Sequence, residues 1–367
     1  MTNSAHEPML ARLRIPFDTA LETSTAPRFQ PKIIHTPDIP PIDWSIVARS
    51  APTPLTTPGE IPLAEAVVIT WTDAEWAALE HVFCRGTRGM SYGARTMDRW
   101  SGWQRYTQNV PTIKEFACWG EFRLVQINGA AVLLFKSNTH LDYPGERYLE
   151  QLLRQLLASA KPKLVLSTGT AGGARPADKV GTVNVTNTAT LSVAGQPLPR
   201  WWPTYKSPWH PNWTLASSGS FAKLLLPLPA TPPDLTALCG QFNEFYGSTY
   251  VLSQLNVDGL ATGKGAPAIN NLTAAHHPVL TTTSFVVGNQ RGDLRNFTCI
   301  EMDDAIIGKV CSAADVPFGF IRNISDPVQN ASLPPEVQAH WAQAIYDAYG
   351  FYTSFNSALV TWAVLAA

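Results

Sequence analysis

The stretch "FTCIEMDDAIIGKVCSAADVPFGFIRNISD", residues 297–326, decides the fold. It runs from an apolar β-rich segment into a helix-period segment, then into a second apolar run that ends at a polar cluster. The same alternation recurs upstream. "AVVIT" (66–70) is a short strand followed by "DAEWAALEHVF", whose apolar positions fit one helical face. "FRLVQINGAAVLLFKS" reads as a hairpin turning at Asn128-Gly129. "GERYLEQLLRQLLASA" is an amphipathic helix, "KLVLSTGTAGG" a buried strand ending in a Gly-rich turn, and "VGTVNVTNTATL" another strand. "TTTSFVVGN" is a strand and turn, and a long helical stretch begins near residue 334. Strands alternating with helices specify an α/β domain with a central mixed or mostly parallel β-sheet flanked by helices.

In such folds ligands collect at the carboxyl ends of strands. Four polar or Gly-rich clusters follow apolar runs in that position: Thr72–Glu75, Gly169–Gly173, Glu301–Asp303 and Arg322–Asp326. The opening stretch crowds Glu301, Asp303 and Asp304 together, and like charges so close repel. The helix dipole favours one or two acids at a helix start. That does not explain Glu301 at the strand end before the helix, and a functional reading gives at least one of the three acids a cationic or hydroxyl-bearing partner.

The chain has 367 residues, 45% of them hydrophobic, enough for one large core, and its formal charge of −1 argues against binding nucleic acid backbone. The five cysteines have neither CxxC pairing nor zinc-type His spacing, so reduced thiols and no metal site are expected. No apolar run is long enough to span a membrane, "ALVTWAVLAA" included, and the N-terminal stretch lacks the apolar segment of a signal peptide. A soluble, cytoplasmic protein is expected. Residues 1–65 are Pro-rich but carry Phe17, Phe29, Ile33, Ile34, Trp44 and Ile46, which suits an extended arm docked on a single domain at 66–367. "RWWPTYKSPWHPNW" (200–213) suits a lid, a subunit contact or a packed surface loop, and the His276-His277 pair is structural.

"STGTAGGA" (167–174) is neither a P-loop nor GxGxxG, but its glycines let backbone N–H groups face a small polar ligand. Taken together, "GTAGGARPADKVGTVNV", "IEMDDAIIGKVCSAADVPFGFIRNISD" and "AVVITWTDAEWAAL" resemble the purine nucleoside phosphorylase superfamily. The likeness is greatest to its hydrolytic branch, the methylthioadenosine/S-adenosylhomocysteine nucleosidases. There the matching stretches read G-[ST]-A-G-G, E-M-E-A and R-x-[IV]-S-D, with a Glu opening the first helix. The resemblance covers roughly residues 66–365 in element order.

This resemblance implies that Asp326 donates a proton to purine N7 and that Ser325 orients it. Phe285 would stack on the base, and the Val286 backbone would face the base edge. Asp303 stands where the family has the Glu that binds ribose hydroxyls, and Met302 where a Met packs under the sugar. Glu75 matches the water-activating Glu, and Thr170 and Arg322 match positions around that water and the ribose. Ala171 and Gly172 belong to the Gly-rich substrate turn, and Glu301 supports the shell. No cofactor is implied. The partner is a small purine nucleoside or nucleotide, and a homo-oligomer is expected.

These residue types suit N-glycosidic cleavage. The departing purine anion is a poor leaving group, and a carboxylic acid kept neutral by burial relieves this by protonating N7. A second carboxylate deprotonates water, and a third at the ribose hydroxyls favours the positive charge developing on the sugar. Phosphorylases of the superfamily carry an Arg on the strand entering the Gly-rich turn; Ser167 occupies that place here. Water is therefore the expected nucleophile, with a phosphate-dependent phosphorylase and a non-catalytic nucleoside-sensing module as alternatives.

Three features depart from the family pattern. Asp303 is one methylene shorter than the family Glu, and "KSNTHLDYPGERY" (136–148) replaces a Gly-rich segment. An insertion at 85–110 concentrates Arg85, Arg88, Arg95, Arg99 and Arg105, with Lys114 beyond. It suits a solvated surface or a clamp for a 5′-phosphate, to which His140 and Arg147 are weaker candidates. The clamp would fit the AMP nucleosidases and antiphage nucleosidase effectors of the superfamily.

Overall fold

The computed structural model describes residues 38–85, 89–90, 101–113, 116–141, 144–174, 179–192, 202–226, 233–255, 267–282, 292–326 and 335–367. Its centre is a mixed sheet. The parallel strands β2 (Ala66–Thr70), β5 (Ala130–Ser137), β6 (Leu164–Gly172) and β13 (Phe318–Asp326) run side by side in the order β5-β2-β6-β13. β4 (Gly120–Ile127) pairs antiparallel to β5 through the Asn128-Gly129 hairpin, where both turn residues have positive φ (48° and 87°). That is the two-residue turn geometry Asn-Gly favours. The two edges of β4 carry β1 (Thr53–Pro54) and β3 (Gln104–Tyr106).

Beyond β6 the sheet continues through β12 (Ile300–Glu301), β11 (Val279–Thr281), β8 (Thr188–Leu191) and β9 (Thr204–Lys206), while β7 (Val183–Thr186) joins β13 to β10 (Ile269–Asn271). The run "VGTVNVTNTATL", expected as one strand, is therefore two. At Asn187 the chain leaves the β13 neighbourhood for that of β11, and the Asn187 amide is held by the Trp209 carbonyl at 2.9 Å. The Gly-rich stretch also differs from expectation, because β6 continues through Gly172 instead of turning before it. The described part of the 200–213 segment is packed. β9 is an edge strand, and the Trp209 ring lies so close over Gly319 that a Cβ there would overlap it.

Strand alternation explains why both faces are apolar. Val68, Leu134, Leu166 and Ile321 face one core with α1 (Asp73–Glu80) and the long α5 (Pro335–Ala366). Val67, Ile69, Leu133, Phe135, Val165 and Phe320 face the other, with α2 (Glu146–Ala160) and α4 (Asp304–Ala313). A parallel sheet covered on both sides needs near-continuous apolar strands, which is what the sequence carries. In α2 the buried stripe Leu149, Leu152, Leu153, Leu156, Ala160 has helical spacing. α3 (Pro233–Tyr246) adds Leu238 and Phe242 to the first core. Residues Ile39, Ile42, Trp44 and Val47 join the same core, with the Trp44 ring 4.5 Å from that of Trp362.

Candidate active site

The carboxyl ends of β2, β5, β6, β12 and β13 bring the polar clusters into one hydrogen-bonded assembly. Glu75 enters from α1. Thr72 and Glu75 form a capping box: the Thr72 hydroxyl accepts from the Glu75 N–H at 3.3 Å, and Glu75 Oε2 accepts from the Thr72 N–H at 2.9 Å. The same Oε2 accepts from Trp71 N and Thr70 Oγ1, while Oε1 accepts from Thr170 N at 2.6 Å and Thr170 Oγ1 at 2.7 Å. Burial alone would raise the Glu75 pKa, but the Arg322 charge and these donors bring it below the ordinary carboxylate value. The carboxylate lies directly over β6, and a Cβ at Gly169 would collide with it.

The crowded acids of the opening stretch separate onto different partners. Glu301 Oε2 accepts from the backbone N–H groups of Asp303 and Asp304, at 2.6 and 2.9 Å, so it caps α4. Its other oxygen accepts from the Thr281 hydroxyl. Burial, then the Asp304 charge, pushes the Glu301 pKa up to about 8. Asp304 binds Arg322 through both carboxylate oxygens, one from Nε at 2.9 Å and the other from Nη2. Asp303 turns toward β5: Oδ1 accepts from Leu141 N at 3.0 Å, and Oδ2 lies 2.9 Å from His140 Nδ1.

Arg322 is fully buried and organises the centre. Besides Asp304 it donates to Ser167 Oγ at 2.5 Å, sits 3.4 Å from Glu301 Oε2 and 3.4 Å from the Thr170 carbonyl, and lies over the Trp71 ring. Desolvation disfavours its charge, but the carboxylates of Asp304 and Glu301 outweigh this and hold it protonated. Asp326, at the end of β13, is buried and accepts from Ser325 Oγ at 2.9 Å. Burial pushes its pKa up to about 7, opposed only by that serine hydroxyl. Gly172 leaves room for it, since an added Cβ would stand 3.0 Å from Asp326 Oδ2. Ala171 is buried beside it, and Thr170 and Met302 are half-buried.

Thus Glu75, Thr170, Ala171, Gly172, Glu301, Met302, Asp303, Arg322, Ser325 and Asp326 lie on the converging strand ends. Phe285 and Val286 fall outside the described residues, as do Arg88, Arg95, Arg99 and Lys114 of the basic insertion. Arg85, Arg105 and Arg147 are exposed. His140 belongs instead to the interior, on Asp303. Four further residues escaped the sequence reading. Asp304, by its position an acid in the first turn of its helix, also neutralises Arg322. Its signal was present: an extra acid where the E-M-E-A pattern has alanine. Ser167 is the hydroxyl partner of Arg322, and Trp71 covers the guanidinium.

The fourth is Lys136, fully buried on β5 and donating to Asn138 Oδ1 at 3.0 Å. Burial pulls its pKa down to about 8 against the charges of Asp73, Glu121 and Glu75. A lysine closing an apolar strand reads as a solvent-facing end, so nothing local marked it. Among the described residues no group of His, Cys, Asp and Glu has the arrangement of a metal site. No described helix is long and apolar enough to cross a membrane.

Comparison with known proteins gives one family match and many structural ones. The family model described as "Phosphorylase superfamily" matches residues 103–351. Among solved structures, the 5′-methylthioadenosine/S-adenosylhomocysteine nucleosidase of Neisseria meningitidis, in complex with methylthio-immucillin-A, is 15% identical. It has a TM-score of 0.45, covering 82% of this chain and 99% of that one. Futalosine hydrolase of Helicobacter pylori is 12% identical with a TM-score of 0.45, covering 83% and 99%. S-adenosylhomocysteine nucleosidase of Streptococcus pyogenes is 13% identical with a TM-score of 0.42, covering 84% and 98%.

Proposed function

The chain belongs to the phosphorylase superfamily, and from that premise we propose that it hydrolyses the N-glycosidic bond of an adenosine-type nucleoside or nucleotide and releases the free base. The observation that carries this reading is Asp326, a carboxyl buried at the end of β13 against Ser325 and Gly172, whose pKa burial raises to about 7. As the C1′–N9 bond breaks, its electron pair moves to the purine, and Asp326 delivers its proton to N7. Water adds to C1′ and gives its proton to Glu75. The free enzyme is restored when Asp326 regains a proton and Glu75 loses one. Such acid assistance is worth roughly 10²–10⁴-fold in rate. Asp303, with Met302 and Arg322, holds the ribose, and its negative charge favours the oxocarbenium-like transition state.

Water is favoured over phosphate by local charge. Arg322, which donates to the Thr170 carbonyl of the Gly-rich strand, is already matched by Asp304, and Ser167 accepts from it at 2.5 Å. A phosphate dianion there would face the ionised Glu75 carboxylate, with the Arg322 fork already taken by Asp304. In the nucleotide-cleaving version of this reading, that of an antiphage effector, the basic insertion engages a 5′-phosphate. A homo-oligomer acting in the cytoplasm accompanies either version.

One observation favours a second reading, a nucleoside-binding module without turnover: Glu75 already accepts five hydrogen bonds. In the hydrolytic reading the half-exposed Thr170 hydroxyl rotates away and water takes its place on Oε1. Incubation with adenosine, methylthioadenosine, AMP and ATP, with and without phosphate, separates the readings by chromatography of free adenine. Release without phosphate is expected. Binding without release supports the module, and release only with phosphate overturns hydrolysis.

A further inference from the structure

The two departures that look independent in the sequence meet in space. The segment replacing the Gly-rich loop supplies His140, and the shortened acid is Asp303. His140 Nδ1 lies 2.9 Å from Asp303 Oδ2, and the next backbone N–H, that of Leu141, donates to Oδ1 at 3.0 Å. Both partners are buried, His140 at 5% and Asp303 at 2% exposure, so this contact is not a surface ion pair screened by water. The imidazole is seated against the Trp71 ring, 6.1 Å between centroids. The segment is itself pinned: Trp71 Nε1 donates to the Thr139 carbonyl at 2.9 Å, and Ser137 Oγ accepts from Thr139 N at 3.0 Å. A buried run of Lys136, Ser137, Asn138, Thr139 and His140 is costly unless each group is satisfied.

We infer that His140 is a positioning residue that fixes the Asp303 carboxylate for the sugar hydroxyls and so sets selectivity for ribose over 2′-deoxyribose. The inference rests on the nucleosidase reading above. The shorter aspartate loses reach and rotamer control relative to a glutamate. The Leu141 N–H on one oxygen and the imidazole packed 2.9 Å from the other restore a single orientation while leaving the carboxylate lone pairs for a sugar hydroxyl. A site built around such an oriented acceptor discriminates against substrates lacking the hydroxyl, because the buried carboxylate is then left underbonded.

The test compares wild type, His140→Ala and His140→Asn on adenosine and 2′-deoxyadenosine, with kcat and KM measured separately and thermal melting in parallel. Asparagine keeps an N–H near the Nδ1 position. For His140→Ala, KM for adenosine should rise about tenfold, the order expected when a buried carboxylate loses one close polar contact. Its preference for ribose should fall toward unity, and His140→Asn should recover most of both. A lowered melting temperature with unchanged KM and unchanged preference overturns the inference, leaving a packing role. If wild type binds both nucleosides by calorimetry without cleaving them, the nucleosidase reading fails alone. The same comparison is then made on Kd, and an unchanged Kd ratio in His140→Ala overturns the inference. If wild type acts on methylthioadenosine, AMP or ATP instead, the comparison is made on that substrate and its 2′-deoxy counterpart, and a wild type that neither cleaves nor binds any of these overturns both.

Discussion

Three acids within four positions, Glu301, Asp303 and Asp304, coexist because each finds a different donor: helix N–H groups, a histidine-bearing segment and an arginine. That arrangement makes Arg322 and Asp304 interdependent. Arg322→Met should cost about 3–5 kcal/mol, since it strands a buried carboxylate, whereas Arg322→Met with Asp304→Leu should regain most of it. Urea midpoints of the single and double variants check this. Asp326 sets the pH response. The protonated acid is the active form and its folded pKa is about 7, so the rate should hold on the acid side and fall about tenfold per pH unit well above that value. Glu75, with its pKa lowered, stays ionised throughout and adds no limb near neutrality. A pH–rate profile of kcat/KM reads this limb, and one that stays flat to high pH refutes the assignment. Asp326→Asn should abolish base release while leaving nucleoside binding largely intact. The positions of Glu75, Ser325 and Asp326 at the start of α1 and the end of β13 were legible because each lies within a short motif. Asp304, Ser167 and His140 were not, since their roles depend on partners far along the chain.

Elements position these residues through their ends. α1 begins at Asp73 because Thr72 and Glu75 cap each other, so the same carboxylate closes the helix and faces β6. β6 can approach it only through Gly169. Gly169→Ala should therefore cost about 1–3 kcal/mol by overpacking and also depress turnover, because the displaced group is the Glu75 carboxylate. Chemical denaturation with a parallel adenine-release assay separates the two effects. A variant of wild-type stability and rate would mean the approach is looser than this geometry requires. The hairpin at Asn128-Gly129, the α2 stripe and the strand–helix passage at 300–313 follow local rules and were readable. The break at Asn187 was not, because "VNVTNTATL" has strand character on both sides and only the choice of neighbours splits it.

At the scale of the molecule, two cores on opposite faces hold the strand ends in register, and residues 39–47 belong to one of them. Trp44→Ala should cost about 3–5 kcal/mol, the usual loss for a buried tryptophan, even though Trp44 lies far from the site in sequence. A thermal melt checks it, and an unchanged transition would mean the Trp44–Trp362 contact carries no stability. The sequence by itself determined the alternation of strands and helices, the apolar character of both sheet faces and the motif acids, because periodicity and short-range capping are local properties. The tertiary structure alone decided which buried charge answers which. It set Asp304 on Arg322, His140 on Asp303 and Lys136 on Asn138, in the field of Asp73 and Glu121, because a buried charge is satisfied by whatever the topology brings near it, at any separation along the chain.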